Sequence, residues 1–431
     1  MSQKIRGVKG TRDVLPTETY RKDDDPWVRI AHYHLVEQAA RDLFPLYGYR
    51  EARTPILERT ELFVRGIGEV TDIVGKEMYT FDDHGDRVSM RPENTASLVR
   101  AYVEHNVGQI EPDTKWWYLG PMFRRERQQR GRYRQFTQIG IEAFGSAGPR
   151  VDAEQIELLD RWLRILGIPF EMHLNSLGDG NCRPQYREAL QAYLRSRSAD
   201  LCEECRVRTE TNPIRVLDCK NPQCQEVVAG APKLVLCDPC RAHFEGLQNI
   251  LTTMKVSFVV DPKLVRGLDY YTRTAYEAIA TAGLGAQSTV AGGGRYDGLV
   301  RELGGGDVPG IGFAAGVERL ALLVAQQGKE RAVRPVVFIA PLGDAEAARA
   351  DLLAQQLRAA GLAAEVSFRK SNPGNQLKRA DALGARFALV LGDLELQTDR
   401  AKLKELKTGA QHDVSLSELL PALRKLLQEN P

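Results

Sequence analysis

The chain has 431 residues, 43% hydrophobic and 27% charged, the balance of a globular protein large enough for two or three domains and not of a disordered or fibrous one. Its 59 Lys and Arg against 57 Asp and Glu leave a formal charge of +2, which excludes a polybasic nucleic-acid coat, so any nucleic-acid contact must come from a local patch. No apolar run is long enough to span a bilayer and MSQKIRGVKG lacks a signal peptide's apolar stretch, so no membrane partner and a cytoplasmic location are expected, with the seven cysteines as free thiols or metal ligands.

Apolar residues at helical spacing (Val28, Ala31, Leu35, Ala39, Leu43) predict a helix from Trp27 to Leu46. Asp23, Asp24, Asp25 and Pro26 suit its start, and Tyr47-Gly48-Tyr49 its end, before a strand at Glu51 to Pro55. The run Asp82-Asp83-His84-Gly85-Asp86 predicts a hairpin turn. In Arg91-Pro92-Glu93-Asn94-Thr95, Pro92 bars a helix from continuing through it, and Asn94 or Thr95 is the expected cap of a helix through Tyr102. Glu93 places a carboxylate at that mouth, where an ammonium group would find a partner.

The densest signal is YLGPMFRRERQQRGRYRQFTQIGIEAFG at 118 to 145, where, across 124–134, Arg124, Arg125, Arg127, Arg130, Arg132 and Arg134 are opposed only by Glu126. Apolar, β-prone runs on either side, Trp116 to Phe123 and Phe136 to Phe144, predict two antiparallel strands joined by a basic loop. Planar guanidinium groups donate paired hydrogen bonds and keep their charge, so this hairpin mouth predicts a polyphosphate or nucleic-acid ligand. Gln138 and Glu142, four residues apart on the second strand, share one face, which is either a site or an exposed surface.

A helix from Val151 to Gly167 and a strand from Phe170 to Leu174 precede a polar, mostly helical insertion at 178–258 that contains every cysteine. Cys182 stands apart, Cys219 and Cys224 form a CxxxxC, and the two CxxC pairs nominate Cys202, Cys205, Cys237 and Cys240 as a tetrahedral thiolate set for structural Zn2+. Phe258 to Val260 and Thr274 to Glu277 read as paired strands around LVRGLDYYTR, where Tyr270 and Tyr271 suit a flat, polar ligand. The triplet Gly292-Gly293-Gly294 permits close approach of backbone to a ligand, or a tight turn. Gly310-Ile311-Gly312-Phe313 leads into a helix bearing Glu318, Arg319 and Leu320. After 331–335 the pattern becomes β–α–β with a final helix: strands at 336–340, 365–368 and 387–391 and a helix at 345–360, a separate α/β domain.

FRRERQQRGRYRQF, continued by QIGIEAFG, resembles motif 2 of the class II aminoacyl-tRNA synthetases in the form seen in histidyl-tRNA synthetases. KGTRDVLP at 9–16, GIGEVTDIVGKEMYTF at 66–81, RPENTA at 91–96, LVRGLDYYTRTAYE at 264–277, GGGRYDGL at 292–299 and GIGFAAGVERL at 310–320 extend the resemblance, in that family's order, over nearly the whole chain. It implies an α+β fold: a class II catalytic domain at 1–330, with antiparallel sheet and helices, carrying the 178–258 insertion, and an anticodon-binding α/β domain at 331–431. It implies activation of L-histidine with ATP and Mg2+ to histidyl-adenylate and transfer to the 3' end of tRNA(His), by a homodimer with Pro55 at its interface.

Site residues follow from the same resemblance. Arg124 and Arg266 would flank the α-phosphate, Glu126 and Phe136 would hold adenine, and Arg319 the far end of the triphosphate. Glu93, Asn94, Thr95, Gln138, Glu142, Tyr270 and Tyr271 would line the histidine pocket, although the family commonly has Gly where Asn94 stands. Arg127, Gln129 and Arg130 would meet the tRNA acceptor end. The alternative is a non-catalytic histidine- or tRNA-sensing paralogue on the same fold, and the intact arginine hairpin, LVRGLDYY, Arg319 and C-terminal domain weigh against it. LVRGLDYY also weighs against a synthetase for another amino acid.

Overall fold

The computed structural model describes residues 4–16, 28–68, 71, 73–126, 131–265, 270–284, 288–329, 334–369 and 371–429. The chain divides into two compact units, 1–331 and 332–431.

The first unit contains strands β1 (Arg50–Glu51), β2 (Leu57–Arg59), β3 (Tyr79–Asp83), β4 (Asp86–Met90), β5 (Thr114–Phe123), β6 (Gln135–Phe144), β7 (Phe170–Ser176), β8 (Val259–Val260), β9 (Thr272–Ala280), β10 (Thr289–Arg295) and β11 (Gly310–Gly316). Eight of them form one sheet in the order β1-β5-β6-β11-β10-β9-β7-β8, antiparallel except for the outer pairs β1/β5 and β7/β8. With its helices this is the expected α+β class.

Side chains alternate across a strand, so one face of β6 and β11 sends Ile139, Ile141, Ala143, Ile311, Phe313 and Ala315 into the main core. That core also holds helices Ile30–Leu43, Pro149–Leu166 and Val317–Gln326. Phe44 lies edge-on to Trp117, Trp162 and Phe313 with centroids 5.9, 5.3 and 6.3 Å away. The opposite face then carries Gln138, Gly140, Glu142, Gly312 and Ala314, a floor of backbone and small residues beneath polar ones. At Gly312, which pairs with Glu142, a Cβ would sit inside the van der Waals surface of the Glu142 carboxylate. Only glycine leaves that carboxylate its place.

Several expectations change in detail. The first helix runs from Ile30 to Leu43, and a 3-10 turn with Pro45 carries the chain to Gly48, whose φ of 82° ends it; Asp23 to Trp27 lie outside the described residues. The strand expected at 51–55 shrinks to Arg50–Glu51. The turn at His84-Gly85 has φ of 49° and 95°, as a two-residue hairpin requires. Val259–Val260 does not pair with 274–277, because β7 lies between them and takes β8 on one edge and β9 on the other. The Gly292 triplet is strand, not turn, and packs against β11 so closely that a Cβ on Gly293 would overlap the Gly312 carbonyl.

The mostly helical insertion comprises helices Arg183–Ser196, Glu203–Thr211, Pro222–Ala229 and Asp238–Thr253. Its own small core contains Leu190, Leu194, Val216, Val227, Cys205 and Cys224.

In the second unit β12 (Val337–Pro341), β13 (Ala364–Val366), β14 (Phe387–Leu391), β15 (Arg400–Glu405) and β16 (Gln411–Ser415) form a sheet in the order β13-β12-β14-β15-β16. The first three are parallel, linked through helices Asp344–Ala359 and Pro373–Ala382, as the alternation predicts. β15 and β16 add an antiparallel edge that the sequence reading missed, since in RAKLKE only Ala401 and Leu403 are buried. No described helix is long and apolar enough to cross a membrane.

Candidate active site

Two buried carboxylates define one end of the site. Glu142, on β6, accepts hydrogen bonds from Thr95 Oγ1 at 2.6 Å and from the Tyr296 hydroxyl. Burial pushes its pKa up to about 8, with the Glu93 charge adding to the rise. Glu93 accepts the backbone N–H groups of Thr95 at 2.7 Å and Ala96 at 3.0 Å, and its pKa is likewise raised by burial. It therefore caps the helix Thr95–Glu104, the role expected of Asn94 or Thr95. Among the described residues no Lys or Arg forms an ion pair with either carboxylate. The charge of Arg124 offsets part of the burial of Glu93, whereas no such cation among the described residues acts on Glu142, which is stable as an anion only when a ligand brings the positive charge.

The wall over these groups is aromatic. Tyr270 and Tyr271 are buried with ring centroids 4.7 Å apart, and Tyr270 stands 5.7 Å from Tyr296. The Tyr118 hydroxyl and Gln138 Oε1 are buried and, among the described residues, have no hydrogen-bond partner. Each is a polar atom that a bound ligand would satisfy.

Arginines define the other end. Arg124 Nε donates to the Pro92 carbonyl at 2.9 Å and its guanidinium lies 5.3 Å from the Phe136 ring centroid. Glu126 approaches Arg132 at 2.9 Å and Arg124 at 3.7 Å. Arg319, near the start of the helix after β11, donates to the Thr289 carbonyl. Burial and then the charges of Arg132 and Arg124 lower its pKa, against the opposing charges of Glu126 and Glu277. A cleft is lined by Arg124, Glu126, Phe136, Gln138, Glu318 and Arg319, so Gln138 joins the two ends. A cation-seeking pocket and an anion-seeking cleft thus share the ligand face of β6.

A family profile described as Histidyl-tRNA synthetase matches residues 23–320, and one described as Anticodon binding domain matches residues 336–426. A Histidine--tRNA ligase of Anaeromyxobacter dehalogenans is 51% identical over 96% of this chain and 98% of its own, and one of Syntrophotalea carbinolica is 45% identical over 99% and 100%. The chain belongs to the histidyl-tRNA synthetase family. The crystal structure of the apo histidyl-tRNA synthetase of S. aureus has the same fold, with a TM-score of 0.78 at 34% identity over 97% of this chain and all of that one.

Within this member of the histidyl-tRNA synthetase family, Glu93, Thr95, Glu142, Tyr270 and Tyr271 cluster around Tyr296, and Arg124, Glu126, Phe136, Gln138 and Arg319 line the adjoining cleft. Asn94 is different. Its side-chain oxygen accepts from Arg91 at 2.9 Å and Thr54 at 2.7 Å. Arg91, buried with many donors to satisfy, also bonds to the carbonyls of Thr54 and Pro121 at 3.0 Å, so the Asn94 oxygen is committed to the wall of the site. Arg266, Arg127, Gln129 and Arg130 lie outside the described residues.

Sequence reasoning missed Tyr118, Tyr296 and Glu318. Glu318 accepts the Thr137 N–H at 2.8 Å, and burial lifts its pKa to about 7. The position of Glu318 beside Arg319 was visible in the sequence, whereas Tyr118 is brought to the site by the pairing of β5 with β6, and Tyr296, just after β10, by the bond of its N–H to the Gly310 carbonyl.

The proposed joining of Cys202, Cys205, Cys237 and Cys240 does not hold. Cys202 and Cys205 group with Cys219 and Cys224, whereas Cys237 and Cys240 group with Cys182 and Asp179. The two CxxC pairs begin different helices, Glu203–Thr211 and Asp238–Thr253, of which the second packs on the helix Pro149–Leu166 beneath the sheet.

Proposed function

We propose that the chain is a histidine--tRNA ligase, which activates L-histidine with ATP to histidyl-adenylate and transfers the histidyl group to the 3' end of tRNA(His). The observation that carries this reading is the pair of buried, cation-seeking carboxylates set beside an arginine cleft on one sheet face, in a chain that matches Histidine--tRNA ligases end to end.

The histidine carboxylate attacks the α-phosphate and pyrophosphate leaves; the terminal ribose hydroxyl of the tRNA then attacks the histidyl carbonyl and AMP leaves. Neither step needs a covalent enzyme nucleophile. The protein supplies alignment and positive charge where the pentavalent phosphorus becomes negative. Glu142 and Glu93 hold the cationic groups of histidine, with Gln138, Thr95 and the tyrosines fixing its orientation. Arg124 contacts the α-phosphate from one side and Arg266 from the other, the latter on the strength of the family resemblance. Glu126 and Phe136 hold adenine, and Arg319 the outer phosphates.

Glu277, which acts on the charge of Arg319 and accepts from the Thr289 hydroxyl at 3.0 Å, offers oxygen donors that fit Mg2+ carried in by the nucleotide. When bound, Mg2+ neutralises charge on the departing pyrophosphate. Arg127, Gln129 and Arg130 meet the tRNA acceptor end, the second unit reads the anticodon, and the reaction is placed in the cytoplasm. Structural Zn2+ belongs to the insertion and takes no part in the chemistry.

ATP–pyrophosphate exchange run across all twenty amino acids, with magnesium and without tRNA, tests the activation step. Exchange with histidine alone is expected. Exchange with another amino acid would keep the fold and reject the pocket, and none in folded, histidine-binding protein would reject the enzyme.

The homodimer is supported by Ile56, Leu57 and Phe81, apolar side chains 39%, 49% and 45% exposed on and beside the β2-β4-β3 sheet. Sedimentation velocity at assay concentration should return twice the chain mass. A persistent monomer would remove this assignment.

A further inference from the structure

We propose that the insertion is built around two zinc centres, a four-thiolate one at Cys202, Cys205, Cys219 and Cys224 and a three-thiolate, one-carboxylate one at Cys182, Cys237, Cys240 and Asp179. The second centre also positions the segment that bears Tyr270 and Tyr271.

In each group all four donor atoms lie within 4.8 Å of one another. The Sγ atoms of Cys202 and Cys219 are 4.0 Å apart, as are those of Cys182 and Cys240, and Asp179 Oδ1 is 3.7 Å from both Cys182 and Cys237. A tetrahedron with Zn–S bonds of about 2.3 Å has S···S edges of roughly 3.8 Å. A disulfide requires about 2.05 Å, and all seven thiols are free. Thiols are weak hydrogen-bond donors and gain little by facing one another, so two separate sets of inward-facing donors call for an ion.

The backbone repeats one device. Cys202 and Cys237 each precede a helix with the same conformation, φ −65° with ψ 161° and 160°. Their carbonyls accept the N–H groups of Arg206 at 3.0 Å and Arg241 at 2.9 Å, which aims the first and fourth residues of each CxxC at one point. Asp179 and Cys182 repeat the spacing, with the Arg183 N–H bonded to the Asp179 carbonyl at 3.0 Å, so Asp179 stands where a knuckle has its first cysteine. Backbone N–H groups donate to sulfur at Cys224, from Cys202 at 3.2 Å, and at Cys182, from Asp179 at 3.3 Å, contacts that orient and stabilise thiolates. Gly178, with φ of 66°, leaves room for Cys182, since a Cβ there would come within 2.5 Å of its sulfur.

The two centres have different surroundings. The four-thiolate site sits in the insertion's small core, which a metal staples. The Asp179 site borders the catalytic sheet. Three thiolates, a carboxylate and Zn2+ leave net negative charge, and Arg273 approaches Asp179 at 3.4 Å. Arg273 holds a φ of 50°, unusual for a residue with a side chain, and its N–H donates to the Gly178 carbonyl at 2.7 Å. Arg183, directly after Cys182, donates to the Tyr271 carbonyl at 2.7 Å. Loss of this ion frees both anchors at the C-terminal end of the tyrosine pair.

The test uses the full chain purified without chelator or added metal, with metals counted by mass spectrometry and the zinc shell read by X-ray absorption. Two zinc ions per chain, with sulfur as the main neighbour and a minor oxygen share, are expected. Cys205→Ser should lose one zinc and leave the KM for histidine unchanged. Cys240→Ser should lose the other and raise the KM for histidine several-fold while that for ATP holds. The KM arm rests on the proposed ligase activity; the metal count does not, so the two fail separately. If either variant does not fold, the wild-type chain reloaded with Co2+ should show the absorption of tetrahedral thiolate cobalt at two equivalents. Folded wild-type protein with fewer than two zinc ions, with iron in their place, or with all seven thiols freely titratable overturns the centres. Zinc loss in Cys240→Ser without a change in KM overturns the positioning role.

Discussion

Replacing Arg124 by Ala is expected to slow histidyl-adenylate formation by about 10²–10³-fold, the usual cost of removing a preorganised donor from developing charge. Arg124 is preorganised by its neighbours. Its Nε is committed to the Pro92 carbonyl and its plane to the Phe136 ring, which leaves the guanidinium terminus fixed at the cleft beside Glu126. Histidine binding should persist, because Glu142 and its donors Thr95 and Tyr296 make no contact that Arg124 supplies. Arg124→Lys keeps the charge but loses the paired donors and the planar contact with Phe136, and should recover only part of the rate. Single-turnover adenylate formation, with the melting temperature as a folding control, measures this. A rate within threefold of wild type would place the phosphorus elsewhere.

Glu142→Gln should weaken histidine by at least about 10²-fold with ATP binding kept, since a buried cationic ligand group loses its charged partner. The pH dependence is a sharper check. With a pKa of about 8 in the free protein, Glu142 is mostly protonated at neutral pH and must ionise to receive a cation. The kcat/KM for histidine should therefore rise roughly tenfold per pH unit up to about 8, and histidine binding should release a proton. The same shift has a cost in stability. A carboxyl whose folded pKa lies above its unfolded value of 4.5 favours the folded state below that value, and the favour is lost as pH rises through about 8, by at most about 5 kcal/mol. Glu142→Gln should accordingly be no more stable than wild type at pH 4 but more stable at pH 9. Equal weakening of histidine and ATP, or an unchanged pH profile, would make Glu142 a structural residue.

Much of this site was legible before any fold. Charge density at 124–134 is a local property, and it marked the arginine hairpin. Strand alternation is local too, and it placed Gln138 and Glu142 on one face. The CxxC spacings revealed the knuckles but not their partners, because pairing depends on which helix ends meet, and Cys182 and Asp179 reach Cys237 and Cys240 only through the folded insertion. Glu142 shows the same division. Its partners Thr95 and Tyr296 lie 47 and 154 residues away, so its burial, its raised pKa and its need for a ligand cation arise only when three strands and a helix close around it. Asn94 stood in a ligand motif by sequence, and Arg91 takes its side-chain oxygen, since a buried guanidinium takes the acceptors that packing puts within reach. By itself the sequence determined the family, most of the helices and strands and the chemical types at the site; the tertiary structure decided strand partners and which groups face one another, because hydrogen bonds, ion pairs and desolvation act through space and not along the chain.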